Sequence, residues 1–207
     1  MLDFKKEYKN LYQPKTSPAI VDVSEMTFIM VDGKGDPNTS EAYSHAVELL
    51  YGLSYAIKMS KKDILEYVVP PLEGLWNLDD EMFRGGGAAI TDKSKFIWTM
   101  MIRQPDFVTK DIFEEAVSTL KKKKPHLDGS LARLEKFTEG LCVQVMHIGS
   151  YDEEASTIVL LDRYAEEEGY SIDINEKRWH HEIYLSDPRK TEPNKLKTVI
   201  RHPIKKK

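Results

Sequence analysis

The sequence predicts an α+β protein made of two β-α-β-β units, with antiparallel sheets and helices packed on one side. Two observations predict this class. Strand-like and helix-like patterns follow each other twice in the same order, and the last strand of each series carries Arg-x-Pro, at Arg103–Pro105 and Arg201–Pro203. The repeats cover about 25–105 and 141–203, and we expect a pseudo-twofold axis to relate them.

The first repeat reads as a strand, a helix and two further strands. EMTFIMVDGKGDP alternates apolar side chains and ends in a loop of glycine, aspartate and proline. TSEAYSHAVELLYGLSYAIK places apolar residues at helical spacing, and Thr39 or Ser40 caps its first turn. EYVVPPLEGLW and KFIWTMMIRQP are the remaining strands, with Pro70 and Pro71 restricting part of the former to an edge or a bulge.

A helical connector over 109–137 joins the repeats. TKDIFEEAVSTLKKKKP has a capping threonine and a proline after its end, and GSLARLEKF is predicted to be a short helical segment. The second repeat consists of the strand GLCVQVMHIG, the helix ASTIVLLDRYAEEEGY and the strands RWHHEIYLSDP and LKTVIRHPI. We therefore predict one domain over 25–207, preceded by an N-terminal extension over 1–24.

The composition favours a cytoplasmic protein without direct nucleic-acid binding or membrane association. The 207 residues carry a formal net charge of −4, which opposes binding to a polyanion. No stretch reaches the length of a membrane span, and the N-terminus lacks the apolar core of a signal peptide. The single cysteine, Cys142, rules out a disulfide within the chain. The first 24 residues are also too few for a helix-turn-helix domain.

The strand RWHHEIYLSDP carries the main candidate for a functional residue, Glu182. Alternation places His180, Glu182 and Tyr184 on one face and His181 on the other. Aligning PPLEGLW of the first repeat with WHHEIYL sets Glu73 opposite Glu182. We therefore expect both carboxylates to approach a shared cleft between the repeats, where small-molecule sites are common.

Two motifs that suggest a cofactor do not have the required pattern. His180 and Glu182 lack a third metal ligand at a supporting spacing, and His181 points away from them. RGGGAA, at 84–89, lacks the GK[ST] ending of a phosphate-binding loop and precedes a strand, so we interpret it as a hairpin or a pocket-rim loop. We expect neither a metal nor another cofactor.

Four segments, HIGSY, PLEGLW, HHEIYLSDP and TVIRHP, resemble the GyrI-like small-molecule-binding domain, from about residue 20 to the C-terminus. The resemblance implies a stand-alone bacterial member, without the DNA-binding domain of multidrug-responsive regulators. It implies a tandem fold of two SHS2-type units around a hydrophobic, aromatic-walled pocket with a central acidic residue. Such pockets bind drugs and dyes that are often cationic. Some stand-alone members hydrolyse cyclopropane-containing natural products that alkylate DNA.

The resemblance also implies roles for individual residues. The central acid corresponds to Glu182, and Tyr184 and Tyr151 are the candidate phenols beside it; these three are the candidate catalytic residues. The residues predicted to contact a ligand are Glu182, Tyr184, Tyr151, Glu73, Trp76, Trp98, Met100 and His180. The many methionines of the strands leave the shape of the ligand open, because methionine adapts to irregular surfaces.

We expect the protein to bind and sequester hydrophobic, often cationic aromatic molecules such as drugs and toxins, with hydrolysis of cyclopropane-containing compounds as the alternative, and Glu182 could serve either function. Burial raises the pKa of a carboxyl group unless a cation or hydrogen bonds compensate. As a carboxylate, Glu182 attracts a delocalised organic cation, with aromatic side chains adding cation–π contacts. With a base-like pKa it deprotonates water that attacks a strained ring, while Tyr184 or Tyr151 donates to the oxygen where charge develops. A protein-binding role, such as modulating a topoisomerase, requires neither Glu182 nor Tyr184. The remaining alternative is that Glu182 makes only a structural hydrogen bond.

Overall fold

The computed structural model of the protein describes residues 1–78 and 92–207. The predicted loop RGGGAA lies outside these residues. The helices are α1 (Phe4–Glu7), α2 (Lys9–Tyr12), α3 (Glu41–Ser60), α4 (Lys110–Lys123) and α5 (Glu154–Glu167). The strands are β1 (Ala19–Val23), β2 (Met26–Lys34), β3 (Leu72–Leu78), β4 (Phe96–Arg103), β5 (Ala132–Phe137), β6 (Gly140–Ile148), β7 (Tyr170–Ile172), β8 (His180–Tyr184) and β9 (Lys197–Lys206). None of these helices is both long and apolar enough to cross a lipid bilayer.

One antiparallel sheet runs through the described part of the molecule. Its order is β1-β6-β9-β8-β3-β4-β2-β5, with β7 added beside β9. α3 packs over Ile29 and Ile102, and α5 packs over Val145 and Ile200. The strand registers place these four residues on the same face of the sheet. The predicted α+β class, with antiparallel pairing and the long helices on one side, is confirmed.

The two halves of the chain meet where β3 pairs with β8. Outward from this pair, the first half runs β3-β4-β2 and the second half runs β8-β9-β6. Each half therefore places its second strand at the centre, its third strand next and its first strand outermost. A pseudo-twofold axis between β3 and β8 requires this strand order. That the two halves arose by duplication of one unit stays a prediction. The two sheets expected from the sequence are joined into one.

The first 24 residues, set apart in the sequence as an extension, pack against the opposite face of the sheet. Phe4 and Tyr12, from α1 and α2, are buried in one cluster with Ile183 and Val199. β1 then pairs with β6 at the edge of the sheet. This segment thus supplies core side chains and an edge strand.

The helical interpretation of GSLARLEKF is wrong. Only Gly129–Leu131 are helical, as a short 3-10 turn. The residues that follow form β5, which pairs with β2, and Phe137 lies opposite Met26. In a short segment with mixed apolar and charged residues, hydrophobic periodicity does not distinguish a helix from a strand. Here the segment is a strand because it pairs with the outer edge of β2. The connector is therefore α-helical only over α4. β3 likewise begins after Pro70 and Pro71, so that neither proline interrupts this central strand.

Candidate functional site

A cavity of about 1250 Å³ opens between α3 and α5, above β3 and β8. Aromatic and apolar side chains dominate its walls, and a few acidic and imidazole groups lie at its centre. Its principal lining residues are Tyr43, Val47 and Tyr51 from α3, Glu154, Ala155 and Ile158 from α5, Tyr151 just before α5, Trp76 from β3, and His180, Glu182 and Tyr184 from β8. An apolar cleft with a few convergent polar groups is typical of small-molecule sites.

The pairing of β3 with β8 forms the floor of the cavity. Gly74 lies opposite Glu182 and Trp76 lies opposite His180, and partners across an antiparallel pair share a face. The predicted common face of His180, Glu182 and Tyr184 is therefore present. Gly74 makes room for the indole, because a Cβ at this position would lie 2.7 Å from Trp76 Nε1.

Hydrogen bonds hold the Glu182 carboxylate from both sides. Tyr184 Oη donates to Oε2 at 2.6 Å, and His180 Nε2 lies 2.8 Å from Oε1. Burial opposes ionisation of Glu182, but the interactions with His180 and Tyr184 outweigh it, so the pKa of Glu182 lies below its ordinary value. Burial and the negative charge of Glu182 raise the pKa of Tyr184 well above its ordinary value, and the phenol keeps its proton. Trp76 Nε1 in turn donates to Tyr184 Oη at 2.9 Å.

A second carboxyl group in the cavity, Glu154, was missed by the sequence analysis. Burial and the charge of Glu182 raise the pKa of Glu154 well above its ordinary value. Its Oε1 atom is buried without a hydrogen-bond partner among the described residues. The pKa values of the two neighbouring carboxyl groups are therefore shifted in opposite directions, that of Glu154 upward and that of Glu182 downward. An acidic residue in the first turn of a helix is favoured by the helix dipole, so nothing in the sequence pointed to another role.

Three of these side chains could hold a metal ion. One ligand atom each from Glu154, His180 and Glu182 lies within 4.8 Å of the others. Catalytic zinc sites have three histidine or carboxylate ligands of this kind and leave a fourth coordination position for water or substrate. Glu154 is the third ligand that no spacing around HHE could reveal, because it belongs to a different element.

Two further residues extend the hydrogen bonds away from the cavity. His180 Nδ1 lies 2.7 Å from Nε2 of His202 on β9, and His202 Nδ1 lies 2.6 Å from Oδ1 of Asp162 on α5. Burial lowers the pKa of His202, although its hydrogen bond with Asp162 acts in the opposite direction. The side chain of Asp162 is 15% exposed. The sequence analysis did not single out either residue.

Glu73 does not reach the cavity, and the prediction that it faces Glu182 is wrong. Glu73 pairs with Ile183 on the opposite face of the sheet, where Tyr12 Oη donates to it at 3.1 Å and His181 Nε2 lies 3.0 Å away. The alignment of the repeats was shifted by one residue, and such a shift moves a side chain to the other face of a strand. Gly74 occupies the place assigned to Glu73.

Trp98 and Met100 do not line the cavity either. Both lie on the cavity face of β4, but the packing of α3 buries them in the core at 1% and 0% exposure. Trp98 instead supports the wall, since its ring meets the edge of Tyr43 at 5.3 Å. The sequence analysis missed Tyr43 and Tyr51, because their helical spacing is equally typical of core residues.

Tyr151 lies at the mouth of the cavity, as its assignment to the site requires. It is 39% exposed, and its ring stands edge-on to Tyr184 at 5.9 Å. Burial and the charge of Glu182 raise the pKa of Tyr151 to about 12, so the phenol keeps its proton. Because the Tyr184 proton is engaged by Glu182, Tyr151 is the better placed of the two phenols to donate to a ligand.

Comparison with known proteins gives a consistent result. A family model described as a GyrI-like small-molecule-binding domain matches residues 16–205. The crystal structure of an uncharacterised conserved protein from Listeria innocua shares 45% identity over 99% of this chain and 100% of its own, with a TM-score of 0.92. A hydrolase from Listeria innocua shares 44% identity over 99% and 100%, with a TM-score of 0.88.

The more distant comparisons add the fold alone. The C-terminal domain of EcmrR matches at 13% identity over 92% of this chain and 98% of its own, with a TM-score of 0.55. No curated protein matches the chain. The family match covers nearly the whole sequence and agrees with a cavity large enough for a small molecule. The chain therefore belongs to the family of the GyrI-like small-molecule-binding domain.

Proposed function

We propose that this protein is a hydrolase that binds hydrophobic aromatic molecules in the cavity and adds water to a strained, electrophilic ring. The observation that carries the proposal is the position of the Glu182 carboxylate. It lies at the centre of the cavity, oriented by His180 and Tyr184 and surrounded by aromatic side chains. A carboxylate at this place can accept a proton from a water molecule held within hydrogen-bond reach of it.

The cavity favours a large, flat substrate. Its volume of about 1250 Å³ exceeds the usual upper range of small-molecule pockets, roughly 1,000 Å³. Aromatic rings on a wall and on the floor of the cavity offer faces and edges for stacking. They belong to Tyr43 and Trp76, whose ring centroids lie 6.0 Å apart. The 44% identity with a protein described as a hydrolase supports turnover, and the family resemblance supports a cyclopropane conjugated to a carbonyl group as the reacting centre.

The proposed reaction adds one water molecule across one carbon–carbon bond. As the water oxygen attacks the strained carbon, Glu182 takes a proton from it. The ring bond breaks, and its electron pair moves through the conjugated system to the carbonyl oxygen. Tyr151 donates a proton to that oxygen and recovers one from solvent at the mouth of the cavity. Burial and the charge of Glu182 raise the pKa of Glu154 and so favour its protonated form, which makes Glu182 the proposed base.

A second candidate function is binding without turnover. It is favoured by the same carboxylate, because an anion buried among aromatic rings attracts a delocalised organic cation. Cation–π contacts contribute about 0.5–2 kcal/mol each, depending on how dry the site is. On this alternative, the protein would sequester toxic cationic aromatic compounds, and Glu182 would recognise charge.

The test compares Glu182→Gln with the matched variant Glu48→Gln, which changes a rim carboxylate bound to Lys124 at 2.6 Å. A cyclopropane-fused, carbonyl-conjugated aromatic compound is incubated with each protein in water labelled with ¹⁸O, and mass spectrometry follows incorporation of one water. Loss of a general base lowers turnover by roughly 10²–10⁴-fold, so we expect this loss for Glu182→Gln and none for Glu48→Gln.

Two further readouts separate the candidates. Tyr151→Phe should lower turnover with little change in affinity, whereas Tyr184→Phe should also alter binding, because Tyr184 positions Glu182. Binding is followed in the same samples by tryptophan fluorescence. If the wild-type protein binds the compound but opens the ring no faster than buffer between pH 6 and 9, the hydrolase proposal fails. Weaker binding of cationic than of neutral dyes by Glu182→Gln would then support sequestration.

A further inference from the structure

Three potential metal ligands from two elements meet at the centre of the cavity. Glu154 comes from the first turn of α5, and His180 and Glu182 come from one face of β8. One ligand atom of each lies within 4.8 Å of the other two. All three side chains line the cavity, which gives an ion access to them. The fold therefore brings together one imidazole and two carboxyl groups around one point.

An unpartnered oxygen atom of Glu154 points to a bound cation. The residue is only 6% exposed, and its Oε1 atom is buried without a hydrogen-bond partner among the described residues. Buried charged groups in proteins are normally paired or bound to a metal ion. The neighbouring carboxylate of Glu182 offers Glu154 another acceptor and no positive charge. A cation held by both groups would supply the missing partner and offset the repulsion between two carboxylates.

The hydrogen bonds behind His180 match those that support a metal-binding histidine. Its Nδ1 atom lies 2.7 Å from Nε2 of His202, and His202 Nδ1 lies 2.6 Å from Oδ1 of Asp162. When each imidazole carries its hydrogen on Nδ1, both rings donate toward Asp162, and Nε2 of His180 presents a lone pair on the cavity side. A ligating histidine almost always donates its other N–H to such a partner, which fixes its tautomer and orientation.

Glu182 is oriented toward the same point. Tyr184 Oη donates to its Oε2 atom at 2.6 Å, and Trp76 Nε1 donates to Tyr184 Oη at 2.9 Å. The other oxygen, Oε1, lies 2.8 Å from Nε2 of His180. With His180 in the tautomer described above, both of these atoms are acceptors, so a metal ion bound to both takes the place of a shared hydrogen. Two of the three ligands are thus held by hydrogen-bonded neighbours behind them.

We propose that Glu154, His180 and Glu182 form a zinc site with a fourth coordination position open to the cavity. The imidazole disfavours calcium and magnesium, which take oxygen ligands. Three histidine and carboxylate ligands with one open position are typical of zinc. The inference goes beyond the proposed function. Zinc and the water that Glu182 would deprotonate compete for the same carboxylate, so the zinc-bound form and the water-activating form are alternative states of one site.

Zinc binding to the metal-free protein tests the site. Protein without a histidine tag is dialysed against a chelator and titrated with zinc chloride in a calorimeter, and we expect one zinc ion per chain for the wild type. Glu154→Gln keeps the shape of the side chain but removes its charge. This variant should weaken zinc binding by more than the roughly 10–100-fold that loss of a second-shell partner costs, because it changes a ligand itself.

The matched control is Glu48→Gln, on the rim of the same cavity. Glu48 lies 3.4 Å from His126, so zinc bound by chance at the rim would be lost in this variant, whereas zinc at the proposed site should be unaffected. Circular dichroism of the metal-free proteins checks that both variants fold.

Anomalous diffraction from zinc-soaked crystals of the wild type locates the ion without any variant. A peak between Glu154, His180 and Glu182 would support the site, and a peak elsewhere in its absence would overturn it. So would a wild type that binds no zinc, or equal affinities for the wild type and a folded Glu154→Gln. None of these measurements involves turnover, so the zinc site and the hydrolase proposal can fail independently.

Discussion

His181 lies on the face of β8 opposite the cavity and should make the stability of the protein depend strongly on pH. Its Nδ1 lies 2.9 Å from Glu139 and its Nε2 lies 3.0 Å from Glu73. Arg201 Nη1 also binds Glu139, at 2.7 Å. Burial opposes a charged imidazole, but the two carboxylates outweigh it and raise the pKa of His181 to about 9. The imidazolium is therefore the folded form at neutral pH.

The sign of the effect follows from proton binding. In the unfolded chain His181 titrates near the ordinary histidine pKa of 6.5, and in the folded protein it titrates near 9. Between these values the folded state binds one more proton, so its stability falls as pH rises. At 1.36 kcal/mol per pH unit, the stabilisation contributed by His181 is complete below pH 6.5 and decreases by about 3 kcal/mol as pH rises through 9.

The assay is urea unfolding of the wild type and His181→Gln at several pH values between 6 and 10. We expect the variant to lose about 3–5 kcal/mol at pH 6.5, because buried Glu73 and Glu139 lose the imidazolium that lies between them, although Glu139 keeps its bond with Arg201. The difference between the two proteins should shrink with rising pH. His45→Gln, at an exposed position on α3, is the control and should follow the wild type. Parallel pH profiles for wild type and His181→Gln would refute the assignment of an imidazolium.

Three further predictions concern stability and are measured by urea unfolding. Thr109→Ala removes the cap of α4 and should cost about 1 kcal/mol, whereas Thr109→Ser should restore most of it. Tyr12→Phe removes the donor to buried Glu73 and should cost about 1–3 kcal/mol; an unchanged midpoint would mean that this hydrogen bond contributes nothing. Gly33→Ala places a methyl group in steric overlap with the Trp98 ring and should cost about 1–3 kcal/mol or more, with a change in near-UV circular dichroism. A stable Gly33→Ala protein with an unchanged spectrum would contradict this packing.

The local periodicity of the sequence was sufficient to predict most strands and the central part of the site. In β8, alternation alone places His180, Glu182 and Tyr184 together, and the structure has them on the cavity floor. The same reasoning failed at Glu73, because an alignment of two repeats specifies a face only if its register is correct to one residue. The pairing of Gly74 with Glu182 is a tertiary property that no single strand reveals.

The residues missed by the sequence analysis reach the site from distant elements. Glu154 and Asp162 lie on α5, where acidic residues are common on solvated faces, and only packing of the helix on the sheet turns them inward. His202 lies between Arg201 and Pro203 in β9 and becomes informative only when its neighbour His180 is known. The sequence therefore predicted which residue is central, but not the groups that determine its ionisation state.

The stability of the fold and the ionisation of Glu182, the proposed base, both depend on the two faces of β8. On one face, Glu182 needs His180 and Tyr184 at 2.8 and 2.6 Å to remain ionised. On the other face, His181 is held between two buried carboxylates, which resists any slip of the strand. A slip of one residue would bring His181 into the cavity and bury Glu182 beside Glu73, so that two like charges would meet where the imidazole of His181 now lies between carboxylates. The buried ion network thus fixes the register on which the geometry of the cavity depends.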